Sequence, residues 1–230
     1  MIQSFDFERF WLDKFSACLE EIAGREIRDA VISGSECLSD RSMRSEVIAW
    51  SRGAMERLDT LVDEKKSRDI MTGCACRYST AKLEPIKEEY ARTRDVAVAL
   101  RMLQGQFESF LRVTLELDEE MVKDIIDRGW GSAGVLQDNT VIATKIPKSE
   151  HLIEYMSETD PQRRRQLYCH CPRIRDVLKG SDTFSPTYCY CGAGFYKGIW
   201  EEILQQPVEV ELLESVLQGD DVCKVAVRLP

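Results

Sequence analysis

The sequence predicts an α+β (α/β) protein in which a mainly helical region, residues 1–128, precedes a cysteine-rich α/β module, residues 129–230, built of antiparallel hairpins and packed helices. Three observations predict this. Apolar residues recur at helical spacing through the first half of the chain. Three glycines crowd into Gly129-Trp130-Gly131-Ser132-Ala133-Gly134 and end that pattern. The chain then closes on two segments in which apolar and polar residues alternate, as they do in half-buried strands.

The helical stripes run in order. Phe7, Phe10, Trp11, Phe15, Cys18, Leu19 and Ile22 share one face, and Gly24 supplies a stop. A second helical stretch is expected from about Arg25 to Cys37. A third carries Val47, Trp50, Ala54, Leu58, Leu61 and Val62. After Gly73-Cys74-Ala75-Cys76 the pattern resumes, with Val96, Ala99, Leu100, Leu103, Phe107, Phe110 and Leu111 on one stripe. Asp118 is placed to cap a short helix holding Val122, Ile125 and Ile126. Beyond the glycines, Val135-Leu136, a turn at Gln137-Asp138-Asn139 and Thr140–Ile146 read as a hairpin closed by Pro147. A basic helical segment follows. A later helix, opened by Cys189-Tyr190-Cys191, carries Phe195, Ile199, Trp200, Ile203 and Leu204 and ends before Pro207. Val208, Val210 and Leu212 alternate with Glu209 and Glu211, and Cys223, Val225, Val227 and Leu229 alternate with polar or small residues. Gln218-Gly219-Asp220-Asp221 forms the turn between them. Both strands are expected to bury one face under the preceding helix. Glu209, Glu211 and Glu214 then form a solvated strand face.

The net charge of −9 disfavours a nucleic-acid partner, because an acidic chain repels phosphate backbones. The run Gln162-Arg163-Arg164-Arg165-Gln166 is the local exception and reads as a solvated face. No apolar stretch is long enough to span a membrane, and residues 1–8 lack a signal-peptide pattern. A cytoplasmic location is therefore expected, with thiols kept reduced and no structural disulfides. The nine cysteines are then core fillers, metal ligands or reactive thiols.

Six of them form three Cys-x-Cys pairs, Cys74/Cys76, Cys169/Cys171 and Cys189/Cys191. Pro172 and Gly192 directly follow the second and third pairs, which places them in turns, where thiols two residues apart can converge. Convergent thiolates suit a tetrahedral zinc or, as the alternative, an iron–sulfur cluster. Cys169, Cys171, Cys189 and Cys191 are the expected four ligands. Cys74 and Cys76 border the pocket or supply alternative ligands. A second chemistry is a catalytic thiolate at Cys189 or Cys191, since both precede a helix whose N-terminus would lower a thiol pKa. A third is a redox switch in which the pairs exchange disulfides. Cys18 and Cys37 read as packing. His170 is expected on the surface, directed away from its flanking cysteines.

The stretch Tyr188-Cys189-Tyr190-Cys191-Gly192-Ala193-Gly194-Phe195-Tyr196, the Trp200 helix, Val208–Leu217, Gly219-Asp220-Asp221 and Cys223 resemble the 4-vinyl-reductase-like domain. They are also similar to the L-2-amino-thiazoline-4-carboxylic acid hydrolase family. The resemblance implies a small-molecule-binding α/β module, commonly a homodimer. In some 4-vinyl-reductase-like sensors, zinc is held by a cysteine on each side of the terminal hairpin turn. The second of those positions is Cys223 here, and the first is Ser215. The hydrolase likeness implies cleavage of a C–N or C–S bond in a small heterocycle, by a cysteine thiolate or a metal-bound water.

Overall fold

The computed structural model describes residues 6–36, 38–180 and 183–230. Helices and one antiparallel sheet make an α+β protein that is 63% helical. Six helices come first: α1 (Phe7–Ala23), α2 (Arg25–Ile32), α3 (Arg44–Leu61), α4 (Glu64–Gly73), α5 (Thr80–Thr93) and α6 (Val96–Ser109). A π turn at Phe110–Thr114 leads to α7 (Glu119–Asp127). The later helices are α8 (Leu152–Ser157), α9 (Pro161–Tyr168), α10 (Pro172–Val177) and α11 (Tyr190–Leu204).

Local chemistry explains most boundaries. The Asp6 carboxylate accepts from the Arg9 amide at 2.9 Å and opens α1, and Gly24, at φ 88, ends it. Asp118 caps α7 as expected, accepting from the Met121 amide at 2.8 Å. The second predicted helix is shorter than expected, because the chain turns through Gly34 at φ 80. Cys37 lies outside the described residues. Helices α4 and α5 flank Gly73–Cys76, where the sequence shows no clear stripe. Helix α11 opens at the third Cys-x-Cys pair as expected, with Cys189 as its N-cap, so Cys191 lies in its first turn rather than in a preceding turn.

The sheet contains β1 (Val135–Gln137), β2 (Thr140–Thr144), β3 (Glu209–Glu214) and β4 (Lys224–Arg228) in the order β1-β2-β4-β3. The first hairpin turns at Asp138, which adopts φ 54, a conformation that asparagine and aspartate tolerate. The sheet joins two segments far apart in the chain: Val141 pairs with Val227 and Ala143 with Val225. Strand β4 is central, and Val225, Ala226 and Val227 are all buried. Helix α11 covers β3 and β4 and also packs on α4 and α5. Gly194 permits the α4 contact, since a Cβ there would run into the Thr72 carbonyl. One apolar cluster links Phe15 and Leu19 of α1, Ile70 of α4, Trp200 of α11 and Val227 of β4. Among the described residues, no helix is long and apolar enough to cross a membrane.

Candidate functional site

The Cys169-His170-Cys171 segment joins two helices. Cys169 ends α9, its amide donating to the Arg165 carbonyl at 3.2 Å, and Cys171 precedes Pro172, the first residue of α10. His170 is not the surface histidine expected. Its Nε2 donates to the Ile146 carbonyl at 2.8 Å, and burial, with Lys145 nearby, pulls its pKa down to about 3. The imidazole is therefore a neutral anchor. Tyr168, fully buried, donates its phenol to the Lys145 carbonyl and accepts the Cys223 amide at 3.0 Å. The Lys145 amide in turn donates to the Cys223 carbonyl at 2.9 Å. These bonds fasten the cysteine loop to the adjacent ends of β2 and β4.

This arrangement brings Cys223 into the group. Cys169 stands within electrostatic reach of Cys171, Cys223 and Cys189, and Cys189 within reach of Cys223 and Cys171. The four thiols come from the α9–α10 loop, the start of α11 and the end of the sheet. Ser215, the position where the resembled zinc site carries its first cysteine, is fully buried and hydrogen-bonds with the Cys189 thiol. Cys189 thus stands beside the place that a cysteine at 215 would occupy. Cys191, expected as the fourth ligand, lies within electrostatic reach of Cys171 and Cys76, and its sulfur donates to the Cys74 carbonyl at 3.5 Å. Cys189 caps α11 and Cys191 lies in its first turn, and residues two apart on a helix point about 200° apart, which turns the two thiols to different sides.

Burial, and then the neighbouring thiols, push Cys169 well above the ordinary thiol range. Burial raises Cys189 and Cys223 as well, and Cys191 reaches about 12. The activation expected from the α11 N-terminus is therefore reversed, because loss of water outweighs the helix dipole. Lys145 is the counterweight that sequence reading missed. It favours the charged form of Cys169, Cys189, Cys191 and Cys223, and its Nζ lies 4.0 Å from where a Cβ on Gly192 would stand.

A buried polar chain supports the cluster from the N-terminal side. The Cys171 thiol donates to the Tyr188 hydroxyl at 3.7 Å, and Arg173 donates to the same oxygen at 3.0 Å. Arg173 is 1% exposed, lies over the Trp11 ring and pairs with Glu8, which Arg44 also holds at 2.8 Å.

The first Cys-x-Cys pair is divided. Cys76 is exposed and Cys74 is buried. The Cys74 thiol meets Cys18 of α1, a residue expected to serve only as packing. All described cysteines are free thiols. Among the described residues, no group of three or more His, Cys, Asp or Glu side chains stands placed to hold a metal ion. The donor chemistry of the four-thiol group suits a soft metal, but coordination would require its side chains to turn inward. The sulfurs are restrained only weakly: Cys169 donates to the Cys171 carbonyl at 3.8 Å, and Cys171 to Tyr188 at 3.7 Å.

A surface cleft of about 330 Å³ is lined in part by Pro172, His151, Arg163, Arg175, Asp176 and Lys179. Arg175 donates to His151 Nε2 at 2.7 Å, and Asp176 is paired with Lys179 and Arg44 at 2.7 and 3.2 Å. Cationic groups thus outnumber the one carboxylate in the lining.

Fold and site together define an α+β protein with a cluster of buried and half-buried thiols. Residues 108–229, just over half of the chain, match a family of unknown function (DUF6144), and the chain belongs to that family. The matched segment contains the whole sheet and Cys169, Cys171, Cys189, Cys191 and Cys223, while Cys18, Cys74 and Cys76 fall outside it. No curated protein and no solved structure matches the chain.

Proposed function

We propose that this chain is a small-molecule-binding protein with a soft-metal centre, zinc ahead of an iron–sulfur cluster, held by Cys169, Cys171, Cys189 and Cys223. The observation that carries the proposal is that free thiols from three separate segments converge on Cys169 and Cys189, each of which lies within electrostatic reach of the other and of Cys171 and Cys223. A metal accounts for it: binding exchanges thiol protons for a cation, which offsets the burial that holds Cys169, Cys189 and Cys223 neutral. When bound by four thiolates, zinc supplies a closed structural centre rather than an open catalytic position. Lys145 would offset part of the resulting negative charge. The cationic cleft on the α9–α10 side suits a small anionic ligand.

Metal analysis of protein purified without oxygen tests the centre. One equivalent of zinc, or iron with inorganic sulfide, is expected per chain. Cys169→Ser and Cys223→Ser should each lower metal retention at least tenfold, whereas Cys191→Ser should keep it. A metal-free chain that takes up neither zinc nor iron on anaerobic reconstitution would sink the proposal. Loss in Cys191→Ser with retention in Cys223→Ser would replace this ligand set with the pairs expected from sequence spacing.

A further inference from the structure

A second thiol site lies outside the four-thiol group and outside the family-matched segment. Its members are Cys18, on α1, and Cys74, at the end of α4. Helices α1 and α4 pack directly on each other. Gly73 makes the approach close: the Cys18 sulfur occupies the space that a Cβ at residue 73 would need, and the Cys18 Cβ lies 3.5 Å from that point. Cys74 is the next residue along. Its thiol proton has two acceptors, the Ile70 carbonyl at 3.3 Å and the Cys18 sulfur. The Cys74 amide donates to the Met71 carbonyl at 3.2 Å, which fixes the end of the helix beneath Cys18.

The two sulfurs differ in access. Cys74 is 1% exposed, whereas Cys18 is half-buried and the adjacent Gly73 is exposed. Of the two, Cys18 is the residue that solvent reaches. Lys14, one turn earlier on α1, is held against this corner by its 2.7 Å bond to the Ala75 carbonyl and adds a positive charge. The Cys74 hydrogen bond, with a smaller contribution from Lys14, brings the Cys18 thiol down to about 7 despite its burial and Glu21. The shift favours the thiolate, the form that attacks peroxides.

We infer that Cys18 and Cys74 form a hydroperoxide-sensitive dithiol that closes to a disulfide between α1 and α4. The Cys18 thiolate attacks one oxygen of the hydroperoxide ROOH. The O–O bond breaks, and the departing alkoxide takes a proton from solvent to leave as ROH. Cys18 is now a sulfenic acid. The Cys74 sulfur attacks the Cys18 sulfur, and the sulfenic hydroxyl leaves with the Cys74 proton as water. In sum, two thiols and one hydroperoxide give a disulfide, one alcohol and one water, and the two electrons lost by sulfur reduce the peroxide. The bond would clamp α4 at the carbonyl that holds Cys191, on the edge of the buried thiols. The inference stands apart from the metal proposal, since neither cysteine belongs to the proposed ligand set.

The test uses the intact reduced chain at pH 7 with one equivalent of hydrogen peroxide, then alkylation and peptide mapping by mass spectrometry. A Cys18–Cys74 linked peptide is expected, with two thiols lost per chain. In Cys74→Ser, a 1,3-dione probe should trap sulfenic acid on Cys18. In Cys18→Ser, peroxide consumption should fall at least tenfold. Linkage through another pair as the first product overturns the inference, as does an unchanged rate in Cys18→Ser. The mapping of the unsubstituted chain decides the matter even if either variant folds poorly. Metal content measured on the same samples keeps the outcome separate from that of the four-thiol centre.

Discussion

Arg173 shows how much a single residue of this fold carries. Its guanidinium is buried over Trp11, between Glu8 and Tyr188, and so joins α1 to the loop that carries Cys171. Removing one partner of a buried pair leaves the other charge without compensation, a larger effect than loss of the pair as a whole. Arg173→Met is therefore expected to lower unfolding free energy by about 3 kcal/mol, measured by denaturant titration. Glu8→Leu combined with Arg173→Met should cost less than the sum of the two single changes. Full additivity would show that the two groups do not interact. Nothing in the local sequence marks Arg173 or Glu8 as partners, because each looks like an ordinary surface charge on its own helix. Cys18 is similar. Its stripe position reads as packing, and only its meeting with Cys74 at the unfilled Gly73 position gives it another role.

At the scale of elements, α11 is the member that ties helices to sheet. Its face against α4 depends on Gly194, where a Cβ would strike the Thr72 backbone rather than a side chain able to move. Gly194→Ala is thus expected to destabilise by about 1–3 kcal/mol, as overpacking does, despite alanine's better helix propensity. Gly198, in the same helix, has nothing within 4 Å of its Cβ position. Gly198→Ala should stabilise by about 0.5–1 kcal/mol. Opposite signs for two identical changes in one helix are readable from thermal midpoints. Equal signs would refute the packing described for α11. The periodicity of α1, the Asp118 cap of α7 and the helix opened by the third Cys-x-Cys pair were legible because each depends on neighbours within a few residues. The burial of β4 was not. Its alternation predicts one covered face, whereas Val225, Ala226 and Val227 are all buried in a strand that lies between β2 and β3.

For the whole molecule, the cluster of neutral thiols predicts how stability depends on pH. Cys169, Cys189, Cys191 and Cys223 all titrate higher when folded than in an unfolded chain, burial being the largest cause. Their contribution is complete below the unfolded thiol pKa, about 8.5. Above it the unfolded chain loses protons that the folded chain retains, so stability falls as pH rises toward about 12, the value Cys191 reaches. The metal-free chain should lose up to about 1.4 kcal/mol per pH unit for each such thiol. Denaturant midpoints at pH 7, 8.5 and 10 measure this. A metal bound by Cys169, Cys189 and Cys223 should remove their share of the fall above the unfolded thiol pKa, since those protons have already gone. A flat profile without metal would show that the thiols are not held neutral by the fold.

By itself the sequence determined the elements and the inventory of chemistry. It established helices in the first half, hairpins in the second, and an unusual stock of paired cysteines with two turn-forming residues behind them. Those features are local, set by side-chain periodicity, capping groups and glycine. Only the tertiary structure decided which thiols share a site. Spacing along the chain favoured Cys191, but a helix sends residues two apart to different sides, while the pairing of β2 with β4 and the Tyr168 bridge bring Cys223 to Cys169. Cys18 and Cys74, more than fifty residues apart, meet for the same kind of reason. Contacts across such distances arise from burying several apolar faces in one core, and no single segment records the result.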